Sequence, residues 1–288
     1  LATPPGGQRQ QHVVPALLKS VLSRLRTGTL HSAFNNIAHN HAPLHAPPTG
    51  HFVEDGEGLA GIVGSRYAEI STAPQVSETA QQTVLQAMAQ HSSRLSAGQA
   101  AELGAQQVTP EEVEAAIRGT APGKSPGLDG IPGELFRRYR EQLAPILARH
   151  SAVGVSQQCP PGFLDGVVVP VLKPGGVATD VDAYRPLQML NYDYRLLAKV
   201  LANRLLRVAG SIIDPAQCAF LQHRQIGDSI RMLQLLPALL RERNRTALAA
   251  FIDFRKAYDT LSREFLYRAA DTLGVGEGFV QWMRVLLT

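Results

Sequence analysis

Apolar side chains recur three and four residues apart along most of this chain, the spacing that gives a helix one buried stripe. The pattern predicts helices over residues 13–27, opened by Pro15 and stopped by Gly28, over 59–70, and over 76–91, where Val84, Leu85 and Met88 share a face. Residues 92–107 are small and polar and read as a connector. Thr109, three residues ahead of Glu112, forms a capping box; Val113, Ala116 and Ile117 then point inward and Gly119 is the stop. A helix over 134–150 carries Leu135, Phe136, Tyr139, Leu143, Ile146 and Leu147, kinked or ended near Pro145. Residues 194–209 give the clearest period, with Leu196, Leu197, Val200, Leu201, Leu205 and Val208 inward and Gly210 as the stop. Three more helices follow over 226–243, bent at Pro237, over 261–274, with Phe265, Leu266, Ala269 and Leu273 inward, and over 278–287.

Two runs break the helical period. Residues 166–172, GVVVPVL, are continuously apolar and read as a strand, which Pro170 confines to an edge or a bulge; a Lys173-Pro-Gly-Gly turn follows. Residues 247–252 read as a short buried strand that delivers one carboxylate, Asp253, at its end. Residues 121–132 are a loop rich in Pro and Gly. A linker is expected over 31–58, where His31, His39, His41, His45 and His51 lie among Pro, Gly and Asn; with no Cys nearby a metal site there is a weak reading.

A composition of 44% apolar and 18% charged residues excludes disorder throughout. The basic residues are 23 Arg against 5 Lys, with a formal net charge of +4 and a pI near 9.2. That bias suits a polyanion partner, and equally a GC-rich genome. Cys159 and Cys218 are too far apart in sequence to suggest a disulfide framework or a zinc site, which fits an intracellular setting, nucleus or cytoplasm. No run approaches the ~20 apolar residues that span a bilayer, and no membrane role is expected. Both ends look cut from a longer protein.

The segment FIDFRKAYD, 251–259, resembles motif A of reverse transcriptases of non-LTR (LINE-type) retrotransposons, D-x-x-K-A-[FY]-D, with Asp253, Lys256, Ala257, Tyr258 and Asp259 in place. Upstream, residues 125–130 reproduce S-P-G-x-D-G, where the glycines allow close backbone approach and Asp129 is expected to orient the turn. Lys173, Tyr184, Arg185, Pro186, Asn191, Leu201 and Arg204 fit I-P-K-P … Y-R-P-I-S-L-L-N … L-x-x-R-L, with Leu187, Gln188 and Met189 replacing Ile, Ser and Leu. Gln217, Phe220, Arg224, Ile226 and Asp228 fit Q-x-G-F-x-x-G-R-x-I-x-D, with Ala219 and His223 standing where glycine is usual. These four signatures stand in the family's order across residues 110–288.

The resemblance implies a mixed, α-rich α/β fold, the fingers and partial palm of a right-hand polymerase with a small antiparallel palm sheet containing 247–252. It divides the chain into a helical amino-terminal extension or linker over 1–108, partly disordered around 31–58, and a polymerase segment over 109–288. The implied activity is RNA-directed DNA synthesis on an RNA template and DNA primer with deoxynucleoside triphosphates, using two magnesium ions. Asp253 and the carbonyl of Phe254 are the implied metal ligands, Asp253 being catalytic. Lys173 and Arg185 would hold the triphosphate, Tyr258 would exclude a ribose 2′ hydroxyl, and Arg224 would touch nucleic-acid backbone. Lys173, Arg185, Asp253 and Tyr258 are expected to line one cleft, and Asp259 to stabilise the start of the following helix. The family's second acidic pair, [FY]-x-D-D, occurs nowhere in these residues, so the chain alone is expected to add no nucleotides. Two other readings stand beside this one. The first is a non-catalytic RNA-binding remnant. The second, weaker because Arg255 occupies the position of a second Asp, is a phosphohydrolase with Asp253 as nucleophile.

Overall fold

The computed structural model describes residues 44–45, 52–53, 56–71, 77–156, 159–160, 162–254 and 257–287. The helix expected over 13–27 lies outside them, as do His31, His39, His41 and His51. Within the expected linker, β1 (Leu44–His45) pairs antiparallel with β2 (Phe52–Val53). The chain divides into two compact units. Among the described residues no helix is long and apolar enough to cross a membrane.

The first unit comprises residues 1–67, 124–133 and 165–192. It contains most of α1 (Gly56–Ser71) and a hairpin of β3 (Gly166–Leu172) and β4 (Tyr184–Leu190). The antiparallel register sets Pro170 opposite Pro186. Two residues without an N–H cannot exchange ladder bonds, so this register places both missing donors at a rung that requires neither. A single 3-10 turn, Val181–Ala183, closes the hairpin's long loop. In that loop the Gly176 N–H donates to the Lys173 carbonyl at 2.9 Å, with Gly175 at φ +74°.

The S-P-G-x-D-G loop docks inside this unit on the residues that follow β4. Asn191, 8% exposed, accepts the Asp129 N–H on its Oδ1 at 3.2 Å, and Asp129 Oδ1 accepts the Ile131 N–H at 3.0 Å. A Cβ on Gly127 would lie 2.3 Å from Asn191 Oδ1 and 2.5 Å from its backbone nitrogen, so this glycine is required by close approach. Gly130 is required for a different reason: it faces open space but sits at φ +68°.

The second unit comprises residues 68–123, 134–164 and 193–288 and is helical. In it α2 (Glu78–His91), capped by Ser77, starts two residues later than the pattern suggested. The expected connector contains a helix, α3 (Ala97–Leu103), opened by a capping box of Ser96 and Gln99 and burying Leu103. Its single apolar anchor gave the period nothing to register. α4 (Pro110–Arg118) has the expected capping box, buries Val113, Ala116 and Ile117, and ends on Gly119.

The helix expected over 134–150 is two, α5 (Gly133–Arg138) and α6 (Arg140–Ser156). The break comes at Tyr139, whose carbonyl accepts from the N–H groups of both Gln142 and Leu143. Pro145 sits inside α6 without ending it, and Tyr139 is exposed. α7 (Tyr192–Ile212) runs through Gly210 rather than stopping there. α8 (Ile226–Glu242) includes Pro237 and has no buried residue. α9 (Arg263–Thr272) buries Tyr267 and Ala270, while the expected Phe265, Leu266, Ala269 and Leu273 are half-buried, and α10 (Glu277–Leu286) buries Phe279, Val280 and Trp282.

Leu196, Leu197, Val200 and Leu201 of α7 supply the longest buried stripe of this unit, and Trp282 is fully buried with its indole N–H donated to the Ala105 carbonyl at 3.3 Å. The same carbonyl accepts from Arg204 at 2.6 Å; the Arg204 guanidinium also donates to the Gln107 carbonyl and forks onto both Glu112 oxygens, each at 2.7 Å. Arg204 is only 5% exposed, and this full set of partners is what makes its burial tolerable.

Candidate functional site

Residues 245–254 form neither helix nor strand, contrary to the strand expected over 247–252. Nor is the run buried: Leu248 is 96% exposed, Phe251 84% and Ile252 81%. A strand is completed by its neighbour's ladder, and among the described residues no other strand pairs with this run. Asp253 is exposed at its end, followed by exposed Phe254 and a turn over 257–260 that presents Tyr258, 79% exposed. Asp259 lies in that turn and does not open α9. The helix is capped by Ser262, whose Oγ accepts the Phe265 N–H at 3.3 Å.

The β3–β4 hairpin positions the two expected phosphate ligands. Val171 pairs with Arg185 and Leu172 with Tyr184, which brings Lys173 and Arg185 to the loop end of one hairpin. Arg185 is exposed. Lys173 donates from Nζ to the Asp182 carbonyl at 2.7 Å and from its backbone to the Ala183 carbonyl at 2.9 Å. Lys173 and Arg185 belong to the first unit, Asp253 and Tyr258 to the second.

Arg224 precedes α8 and spends its guanidinium on backbone carbonyls: Asp214 at 2.6 Å, Gln217 at 2.9 Å and Ile213 at 3.4 Å. It braces the loop that leaves α7. In that loop His223 sits at φ +62° and Phe220, 83% exposed, at φ +64°. One of the two positions where glycine is usual therefore keeps the backbone that glycine favours, while the other, Ala219, does not.

Asp253 offers hard oxygen donors, the type magnesium takes, and its exposure leaves them open to solvent. It is one carboxylate of a larger set: among the described residues no three His, Cys, Asp or Glu side chains come together. Sequence reasoning passed over Asn191 and Arg204 as contacts. Both occur in the signatures: Asn191 joins two of them, through Asp129, while Arg204 joins its own to the α4 capping box 92 residues earlier.

Residues 171–287 match the family described as reverse transcriptase (RNA-dependent DNA polymerase). This part of the chain is similar to the reverse transcriptases of non-LTR retrotransposons. Its relatives include the transposon TX1 149 kDa protein of Xenopus laevis, 26% identical over 62% of this chain and 14% of the relative. The RNA-directed DNA polymerase from the mobile element jockey of Drosophila funebris is 29% identical over 59% of this chain and 19% of its own length. The Pol polyprotein from the type-1 retrotransposable element R2 of Popillia japonica is 27% identical over 58% and 22%. The chain thus spans less than a quarter of the curated relatives it matches.

Proposed function

We propose that this chain is the fingers and first palm segment of a right-hand polymerase that copies an RNA template onto a DNA primer. The observation that carries the reading is the joint one of order and docking. Four signatures stand in the family's sequence order, and within one unit two of them meet, the Gly127–Asp129 loop on Asn191. In this reading 1–108 is an extension ahead of the polymerase segment.

Asp253 and the carbonyl of Phe254 would hold magnesium. Bound there, in the two-ion site the family uses, the metal would supply positive charge where the reacting phosphoryl group gains negative charge. Lys173 would approach the triphosphate as a point charge and Arg185 as a fork matched to phosphate oxygens. Tyr258 would lie against the sugar, its ring filling the space a 2′ hydroxyl needs. Arg224, by bracing residues 213–217, would order a loop laid along nucleic-acid backbone, a contact that positions rather than reads sequence. Nucleic-acid binding is expected to weaken steeply with salt as phosphate contacts release counterions.

Primer extension on an RNA template tests the reading. In the full-length polymerase that carries this chain, Asp253→Asn is expected to cut extension by about a thousandfold or more, because electrostatic stabilisation of the transition state is the largest catalytic contribution. The 288 residues alone are expected to bind primer-template and extend nothing. Extension by these residues alone, lost on Asp253→Asn, would show that the second acidic pair is dispensable. Full-length extension indifferent to Asp253→Asn would remove Asp253 from the site. Binding without extension at full length would favour the RNA-binding remnant.

A further inference from the structure

The segment before the family match carries a residue tied directly to the hairpin loop. Arg66 of α1 donates from Nε to Asp182 Oδ1 at 3.0 Å and from a terminal nitrogen to Oδ2 at 2.8 Å, a two-pronged pair across 116 residues of sequence. The side chains are 25% and 37% exposed, so water screens the pair only in part. Both residues lie in the first unit.

Asp182 is also the residue that receives Lys173. Its carbonyl accepts Lys173 Nζ at 2.7 Å, while the next carbonyl, Ala183, accepts the Lys173 N–H at 2.9 Å. Its own N–H donates to Asp180 Oδ1 at 2.9 Å, which closes the turn. One short turn therefore fixes both ends of Lys173, and the Arg66 fork anchors that turn to α1. A planar guanidinium holding both carboxylate oxygens fixes orientation as well as distance, which a lysine could not do.

We propose that Arg66 is a positioning residue for the nucleotide. By clamping Asp182 it sets where the Lys173 ammonium waits, and so α1, outside the matched family segment, tunes affinity for the incoming triphosphate. This inference rests on the reading of Lys173 as a triphosphate ligand.

The test is steady-state extension by the full-length polymerase carrying this chain, with the KM for deoxynucleoside triphosphate and the KM for primer-template measured separately. Arg66→Ala is expected to raise the nucleotide KM about fivefold, the most an ion pair of this exposure supports. The primer-template KM and kcat should stay within about twofold, because only nucleotide binding is touched. Arg66→Lys should recover part of the loss, and the charge exchange Arg66→Asp with Asp182→Arg should recover most of it. A nucleotide KM unmoved by Arg66→Ala, a parallel rise for primer-template, or no recovery in the exchange would each overturn the inference. Lys173→Ala separates it from its foundation. If that variant leaves the nucleotide KM unchanged, the role of Lys173 itself falls. If Lys173→Ala raises the nucleotide KM and Arg66→Ala does not, only the positioning role of Arg66 falls.

Discussion

Arg204 and Glu112 show how a single buried charge can organise a unit. The neighbouring guanidinium holds the Glu112 carboxyl below the usual carboxylate range, with a further contribution from the Thr109 N–H. The folded value is thus below the unfolded one, so on acidification the unfolded chain takes up this proton first. Its contribution is complete above the unfolded value, about 4.3 for Glu, and is lost as pH falls through the lower folded value. Chemical unfolding measured against pH should therefore show wild-type stability falling more steeply below that range than the stability of Glu112→Gln. Equal slopes would mean that the pair does not titrate as the geometry implies. His223 gives a second prediction at this scale. At φ +62° an L side chain strains the backbone, and glycine does not, so His223→Gly should raise the unfolding free energy by about 1 kcal/mol. A loss of stability in denaturant titration would mean that the imidazole makes a contact worth more than the strain.

Among the elements, the loop over 124–133 depends on the one after β4. Gly127 has no room for a methyl group: the obstructing atoms are the backbone nitrogen and Cα of Asn191, at 2.5 and 2.6 Å, and neither can swing aside. Gly127→Ala is expected to cost about 3 kcal/mol, the upper range for overpacking, and to expose the Asp129 amide to hydrogen exchange. Protection unchanged at Asp129 would show that the loop relaxes without leaving Asn191. The two capping boxes make the complementary point. Each needs only four consecutive residues, yet the one at Thr109 stood out and the one at Ser96 did not, because only the first is followed by an apolar stripe.

At the scale of the whole molecule, Trp282 is the largest fully buried side chain among the described residues. It is fully buried, and its indole N–H shares the Ala105 carbonyl with Arg204. Trp282→Ala should cost about 3–5 kcal/mol, read as a lowered denaturant midpoint, with the cavity and the lost hydrogen bond both contributing. A loss under about 1 kcal/mol would show that the helices collapse onto the space. Phe220, Phe251 and Tyr258 stand in the signatures and are exposed, whereas Trp282, which stands in none, is buried in the core.

What the sequence determined by itself was everything that nearby residues settle among themselves. The α4 box and its Gly119 stop, the 166–172 strand, the turn-forming role of Asp129 and the signatures of a reverse transcriptase segment could all be read from spacing and residue type. Those features depend on bonds between residues a few positions apart, or on motif strings that the chain displays in full. The tertiary structure alone decided the rest. It broke the 134–150 helix at Tyr139 rather than Pro145, carried α7 past Gly210, turned Tyr267 inward on α9, and left 247–252 exposed without a ladder. It also joined Arg204 to Glu112 and Arg66 to Asp182. Burial and strand pairing are properties of a residue's partners, and partners 92 or 116 positions away leave no periodicity in the sequence between them.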